Sequence, residues 1–146
     1  RTFSSAASDV YKRQVKPYNP KAIVFFCGTN DLTALKTPEE TVHDFKKFLS
    51  LVRNEFGNIK VYVIGIKPTL DRLYLDKEER IFNSLVSSLA SDDAYLEYIN
   101  IWDPMLNQDG SRMPELFIED GLHMNEKGYE VWTKKVRESL VKEFDL

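Results

Sequence analysis

Residues 22–27 read Ala-Ile-Val-Phe-Phe-Cys without a polar interruption, the pattern of a strand covered on both faces. Thr37-Pro38-Glu39-Glu40 follows, placing a capping hydroxyl, a first-turn proline and an acid at the third helical position. Val42, Phe45, Leu49 and Val52 then recur at helical spacing, so the pattern predicts a helix over 37–55, closed by Gly57. The same alternation repeats. Residues 60–66 form a second Val/Ile-rich strand pattern ending at Lys67-Pro68-Thr69. Asp76 to Glu79 again has the spacing of a capping box, and Phe82, Leu85, Val86 and Leu89 supply the apolar face of a helix ending near Ser91. Residues 96–101 predict a third strand, and 102–119 a loop broken by Pro104, Gly110 and Pro114. Asn125 is placed to cap a last helix with an inner stripe of Tyr129, Trp132, Val136 and Leu140.

Strands alternating with helices predict parallel βαβ units, and hence a three-layer α/β/α sandwich. In such folds ligands gather at the carboxyl ends of the strands. No internal repeat interrupts the pattern.

Composition narrows the class. The chain has 146 residues, 42% of them hydrophobic, enough for one packed domain. Its formal net charge is -3 with acids and bases interspersed, which gives no basic patch for nucleic acid. The single cysteine, Cys27, excludes an internal disulfide. The longest apolar run, 22–27, falls far short of a membrane span. Residues 1–14 (RTFSSAASDVYKRQ) have neither helical nor strand periodicity and no apolar signal-peptide core. They resemble a cloning or read-assembly scar joined to a truncated reading frame, with a natural flexible leader as the alternative. The expectation is a non-native or disordered leader over 1–14 and one domain over 15–146, with localisation left open.

The chemistry lies just beyond the strands. Gly28-Thr29-Asn30-Asp31 follows the first strand, and Asp120-Gly121-Leu122-His123 precedes the last helix. An unperturbed imidazole titrates near pH 6.5, so His123 can take and return a proton near neutrality. Asp120, three residues earlier, is spaced to reach Nδ1 of His123 in a tight turn and fix its tautomer, with an oxygen within about 3.2 Å. Asn30 offers two uncharged amide protons, suited to an oxyanion donor. Gly28 is assigned to the substrate-binding edge of the same motif. Each motif alone has a structural explanation: a strand-terminating turn for the first, a loop aspartate capping backbone near a surface histidine for the second. Their order, each on the carboxyl rim of a predicted strand, favours a shared site.

On these residues the chain resembles the SGNH (GDSL-type) hydrolase superfamily. Residues 28–31 look like that family's Gly-x-Asn-Asp block, and residues 120–123 like its Asp-x-x-His block. The stretches YNPKAIVFFCGTNDL and DGLHMNEKGYEVW also resemble its lysophospholipase-like esterase branch. The resemblance implies a flavodoxin-like parallel sheet and a carboxylic-ester hydrolase acting on a small-molecule ester without a cofactor. In it Asn30 would be an oxyanion donor, His123 the general base and Asp120 the triad acid. The Gly-Asp-Ser block that would carry the nucleophile is absent from these 146 residues, as is the family's second-block glycine. Ser4, Ser5 and Ser8 have no strand before them. The resemblance therefore implies the C-terminal portion of such an enzyme, inactive alone. Its sheet order of 2-1-3-4-5 would leave 22–27 at an edge, exposed to self-association. The competing reading is a non-catalytic, flavodoxin-like ligand-binding module.

Other residues attract weaker readings. Cys27 is expected to be a small buried apolar group rather than a reactive thiol, and His43 a surface residue. Two histidines without a cysteine cluster offer no metal-ligand spacing. Lys67, Thr69 and Arg72 could line an acyl or headgroup pocket, although loop residues of this kind are ordinarily solvated. Trp102, Met105 and Phe117 could form a pocket wall, with core packing the more usual outcome.

Overall fold

The computed structural model describes residues 15–144, so the expectation for 1–14 lies outside the described residues. Three parallel strands, β1 (Ala22–Phe25), β2 (Lys60–Ile64) and β3 (Leu96–Ile99), pair in the order β1-β2-β3. Ile23 stands beside Val61, and Val61 in turn beside Leu96. Each strand stops two residues short of the predicted span. Beyond β2 the ladder persists through one bond, Gly65 N–H donating to the Ile99 carbonyl.

Among the described residues four α-helices accompany the sheet: α1 (Thr29–Thr33), α2 (Pro38–Phe56), α3 (Asp76–Ser91) and α4 (Glu126–Leu140). Two successive right-handed crossovers in one direction along a sheet deliver their helices to the same face. Accordingly Phe45, Phe48 and Val52 of α2 and Phe82 and Val86 of α3 form one core with Ile23, Val61, Val63 and Leu96. Strand side chains alternate, so Tyr62, Ile64 and Ile99 point the other way, where they and Ile101 meet Trp132, Val136 and Leu140 of α4. The result is the expected α/β/α sandwich.

The capping chemistry divides the two long helices. For α2 the capping box is complete: Thr37 Oγ1 accepts from Glu40 N–H, and Glu40 Oε2 accepts from Thr37 N–H. For α3 no side chain caps the first turn; Leu75 is the N-cap, and Asp76 instead pairs with Arg80 and Arg112. A short 3-10 turn, Leu73–Leu75, leads directly into α3. At the other end of α2, Arg53 donates to the Ile59 and Tyr95 carbonyls and pairs with Asp93, tying that helix to the entries of β2 and β3.

α4 corrects the expected inner stripe. Tyr129 is 56% exposed, while Trp132, Val136 and Leu140 are half-buried along an open apolar groove of about 490 Å3. Among the described residues β1 pairs on one side only, and Val24, on the α4 face, is 44% exposed. The helix covers β2 and β3 and leaves this flank open. No helix among the described residues is long and apolar enough to cross a membrane.

α4 approaches the preceding loop at Gly128, where an added Cβ would strike the Leu116 carbonyl oxygen and lie 2.8 Å from Met124 Cβ. Gly128→Ala is therefore expected to destabilise the chain by about 2 kcal/mol or more through overpacking, read as a lower urea midpoint at unchanged slope.

Candidate active site

Three loops at the carboxyl rim of the sheet build the site: 26–30 after β1, 65–72 after β2, and 117–124 before α4. The first turns sharply at Gly28, whose φ of +116° disfavours any side chain and whose added Cβ would sit 3.0 Å from Phe82 Cζ. The Gly28 carbonyl accepts from Asp31 and Leu32 N–H, starting α1 directly. The motif thus leads into a short helix rather than a simple turn, with Asn30 exposed on it and Asp31 fully buried against Lys36.

The third loop is a tight reversal. Phe117 and Met124 bridge antiparallel, and Gly121 N–H donates to the Ile118 carbonyl. Asp120 Oδ1 accepts from the backbone N–H of Leu122 and of His123, both at 2.8 Å. Its Oδ2 lies 2.6 Å from His123 Nδ1, inside the reach expected from the three-residue spacing. The hydrogen bond from His123, then the backbone N–H groups of His123 and Leu122, hold the Asp120 carboxyl below its ordinary 3.8, at about 2. An ionised carboxylate can only accept, so Nδ1 carries the proton and Nε2 of the neutral ring keeps its lone pair. Asn125 secures the loop from behind, capping α4 through Gly128 N–H and donating to the Glu115 and Phe117 carbonyls.

The middle loop joins the other two. Buried Asn83 of α3 accepts from Ile66 N–H at 2.8 Å and donates to the Ile66 carbonyl at 2.9 Å, fixing the exit from β2. The Gly121 carbonyl then accepts from Leu70 and Asp71 N–H. Arg72 reaches across and donates to Asn30 Oδ1 at 3.3 Å. This ties the oxygen end of the Asn30 amide and leaves its Nδ2 protons without a partner among the described residues.

Asn30, His123, Lys67, Arg72, Leu122 and Trp132 all line one cavity of about 440 Å3, which Gly28 also borders. The structure thus brings Gly28, Asn30 and His123 to one cavity, with Asp120 held against His123. It also corrects the expectation of solvated loop residues: Lys67 is 9% exposed, Arg72 8% and Thr69 fully buried. Burial, then the neighbouring Arg72, pulls the Lys67 ammonium below its ordinary range. Behind them Glu79 is fully buried, and neither of its oxygens has a hydrogen-bond partner among the described residues. Burial pushes its carboxyl up to about 8 against the opposing pull of Arg112 and Arg72. Periodicity could flag Glu79 as a position one turn before Asn83 on α3, but not that the opposite wall carries two cations.

The remaining candidates take structural places. Cys27 borders the cavity, and burial, then Asp31, pushes its thiol up to about 11, which disfavours the reactive thiolate. His43 is exposed on α2. Trp102, Met105 and Phe117 are buried away from the cavity.

The Asp120 carboxyl provides a direct check. A depressed folded value means that its contribution to stability is present above the ordinary aspartate value and is lost as pH falls through about 2. Carbon-13 NMR of the Asp120 carboxyl should show a midpoint near 2; a midpoint near 4 would mean that the His123 contact does not persist in solution.

Comparison with known proteins gives one family match, one curated relative and several solved structures of similar fold. The model of the GDSL-like Lipase/Acylhydrolase family matches residues 1–131. Over 117 residues the chain is 27% identical to the N-acylneuraminate cytidylyltransferase of Escherichia coli O18:K1:H7 (strain RS218 / NMEC), a match covering 80% of this chain but only 27% of that protein. Among solved structures it superposes on a GDSL-like lipase from Bacteroides thetaiotaomicron with a TM-score of 0.81 at 18% identity, covering 99% of this chain and 73% of that one. A carbohydrate esterase family 3 protein from Talaromyces cellulolyticus gives a TM-score of 0.81 at 17% identity, covering 97% and 67%. At these identities the superpositions show a shared fold, while the family match spans most of the sequence: this chain belongs to the GDSL-like lipase/acylhydrolase family.

Proposed function

We propose that the chain carries the base, the orienting acid and an oxyanion donor of a serine-type carboxylic-ester hydrolase, with the nucleophilic serine supplied by sequence outside these 146 residues. The observation that carries this reading is the 2.6 Å contact between Asp120 Oδ2 and His123 Nδ1, in a cavity that Asn30 shares. In the reaction, the Nε2 lone pair of His123 takes the proton of the serine hydroxyl as its oxygen bonds to the ester carbonyl carbon. Asn30 Nδ2 donates to the oxyanion that forms, and Arg72 holds that amide in position. Collapse breaks the carbon–oxygen bond, and the imidazolium returns its proton to the departing alcohol. Water repeats the sequence to release the acid. Asp120 stays ionised throughout, stabilising the imidazolium.

The experiment pairs this chain with one extended upstream by a strand ending in Gly-Asp-Ser. The 146-residue chain should neither turn over a short-chain aryl ester by this route nor be labelled by a serine-directed phosphonate. The extended chain should do both, at a rate several orders of magnitude higher. In it, His123→Ala should lower kcat on the order of ten-thousandfold or more, and Asn30→Ala about a hundredfold or more at similar KM. Stoichiometric labelling of the shorter chain would reveal a nucleophile within it. An extended chain that binds the ester without turning it over would favour the ligand-binding module instead.

We propose further that the flank of β1 left unpaired among the described residues makes the 146-residue chain self-associate, on the support of the exposed Val24 and the open groove at Tyr129 and Trp132. Sedimentation velocity should show dimers or larger species at tens of micromolar, suppressed by Val24→Lys. A monomer across the whole concentration range would refute this.

A further inference from the structure

Two basic side chains stand in the wall of the cavity, and among the described residues no carboxylate lies within ion-pair distance of either. Lys67 and Arg72 are each about nine-tenths buried, and both line the same cavity of about 440 Å3 as Asn30 and His123. Among the described residues, neither forms an ion pair. The Lys67 ammonium makes no hydrogen bond there and lies 5.6 Å from the centroid of the Phe26 ring. Arg72 commits one guanidinium nitrogen to Asn30 Oδ1, and its remaining N–H groups are free of side-chain partners there. Thr29 Oγ1, on the same wall, is also buried without a partner.

Taking a charge out of water without pairing it is expensive, and proteins ordinarily offset that by an ion pair or a ligand. The buried carboxyl on this side, Glu79, does not supply the pair: no cation lies within ion-pair distance of it among the described residues, and burial favours its neutral form at pH 7. Nor does the reaction use Lys67, since His123 moves the proton and Asn30 meets the oxyanion. A planar guanidinium fork beside a point-charge ammonium suits a carboxylate or a phosphate group.

We infer that this cavity takes an ester that itself bears a carboxylate or phosphate group, held by Lys67 and Arg72 beside the reacting carbonyl. The inference deepens the esterase reading and rests on it. Because the two cations and the two reacting groups share one small cavity, the anion must lie within a few bonds of the ester. Lys67 and Arg72 then set specificity for charged over neutral esters.

The first experiment reads binding alone. The 146-residue chain, Lys67→Met and Lys67→Arg are titrated with inorganic phosphate and with propionate, using propionamide as the uncharged control, at constant ionic strength. Melting temperature and tryptophan fluorescence (Trp132 lines the cavity) report occupancy. Both anions should raise the Tm of the parent chain and propionamide should not. Apparent affinity should fall at least tenfold in Lys67→Met and recover in Lys67→Arg. Without added anion, Lys67→Met should melt no lower than the parent, since it removes an unpaired buried charge. Equal responses to anion and amide, or a response undiminished in Lys67→Met, would overturn the site. So would a lower Tm of Lys67→Met without anion, which would give Lys67 a structural role. The second experiment uses the chain extended with the Gly-Asp-Ser block, comparing kcat/KM for methyl hydrogen succinate and dimethyl succinate. The anionic ester should be preferred at least tenfold, and Lys67→Met should bring the ratio near one. Equal rates on both esters, or equal slowing of both in Lys67→Met, would overturn the inference and leave the esterase reading intact. Lys67-dependent phosphate binding with neither ester hydrolysed would support the anion site while sinking the esterase reading.

Discussion

The backbone carbonyl of Gly121 is the joint on which the site depends. It accepts from both Leu70 and Asp71 N–H, locking the loop that follows β2 to the loop that carries Asp120 and His123. The contact requires the chain at residue 121 to pass with φ at +64° and close enough to Leu70 that an added Cβ would lie 2.9 Å from Leu70 Cβ. Only glycine meets both demands without strain. With this joint in place, Arg72 is carried to Asn30, and the imidazole, the amide and two cations face one cavity.

Behind the joint stands the sheet. Parallel strands bury both faces, so the loops at their carboxyl ends emerge from a rigid base. Asn83 extends that rigidity by one residue, since its side chain occupies both the N–H and the carbonyl of Ile66 where the ladder has ended. Lys67 therefore begins from a fixed point, and its burial is a property of the loop's path rather than of its own chemistry. Asp120 is positioned differently. Its two oxygens serve the backbone of its own turn and the imidazole, so one residue both shapes the loop and orients the His123 ring. The aspartate that caps the backbone of its own turn is thus also the one that holds the His123 ring.

The electrostatics of the rim are uneven in a way that matters for chemistry. Asp120, exposed and well provided with donors, is held strongly acidic, whereas Glu79, buried without hydrogen bonds, is driven toward its neutral form. Two carboxyls on the same side of the molecule thus differ in charge because one is surrounded by N–H groups and the other by desolvation. Lys67 and Arg72 line the same cavity as His123.

Strand and helix order, the sandwich architecture and the convergence of Asn30, Asp120 and His123 were all legible in the amino-acid sequence. These features rest on local periodicity, on a complete capping box at Thr37, and on motif residues whose spacing determines what they can reach. The uncapped start of α3, the helical rather than simple turn after Gly28, and the exposure of Tyr129 were not legible. Each depends on a distant part of the fold: Arg112 paired with Asp76, Phe82 against Gly28, and the flank of β1 that no described residue covers. The burial of Lys67 and Arg72 belongs to the same class. Nothing local distinguishes a solvated loop lysine from one walled in by neighbouring loops, because desolvation is set by residues distant in the chain. Sequence alone determined which chemical groups reach the rim; tertiary structure alone decided which of them are hidden from water, and so which charges remain to be met.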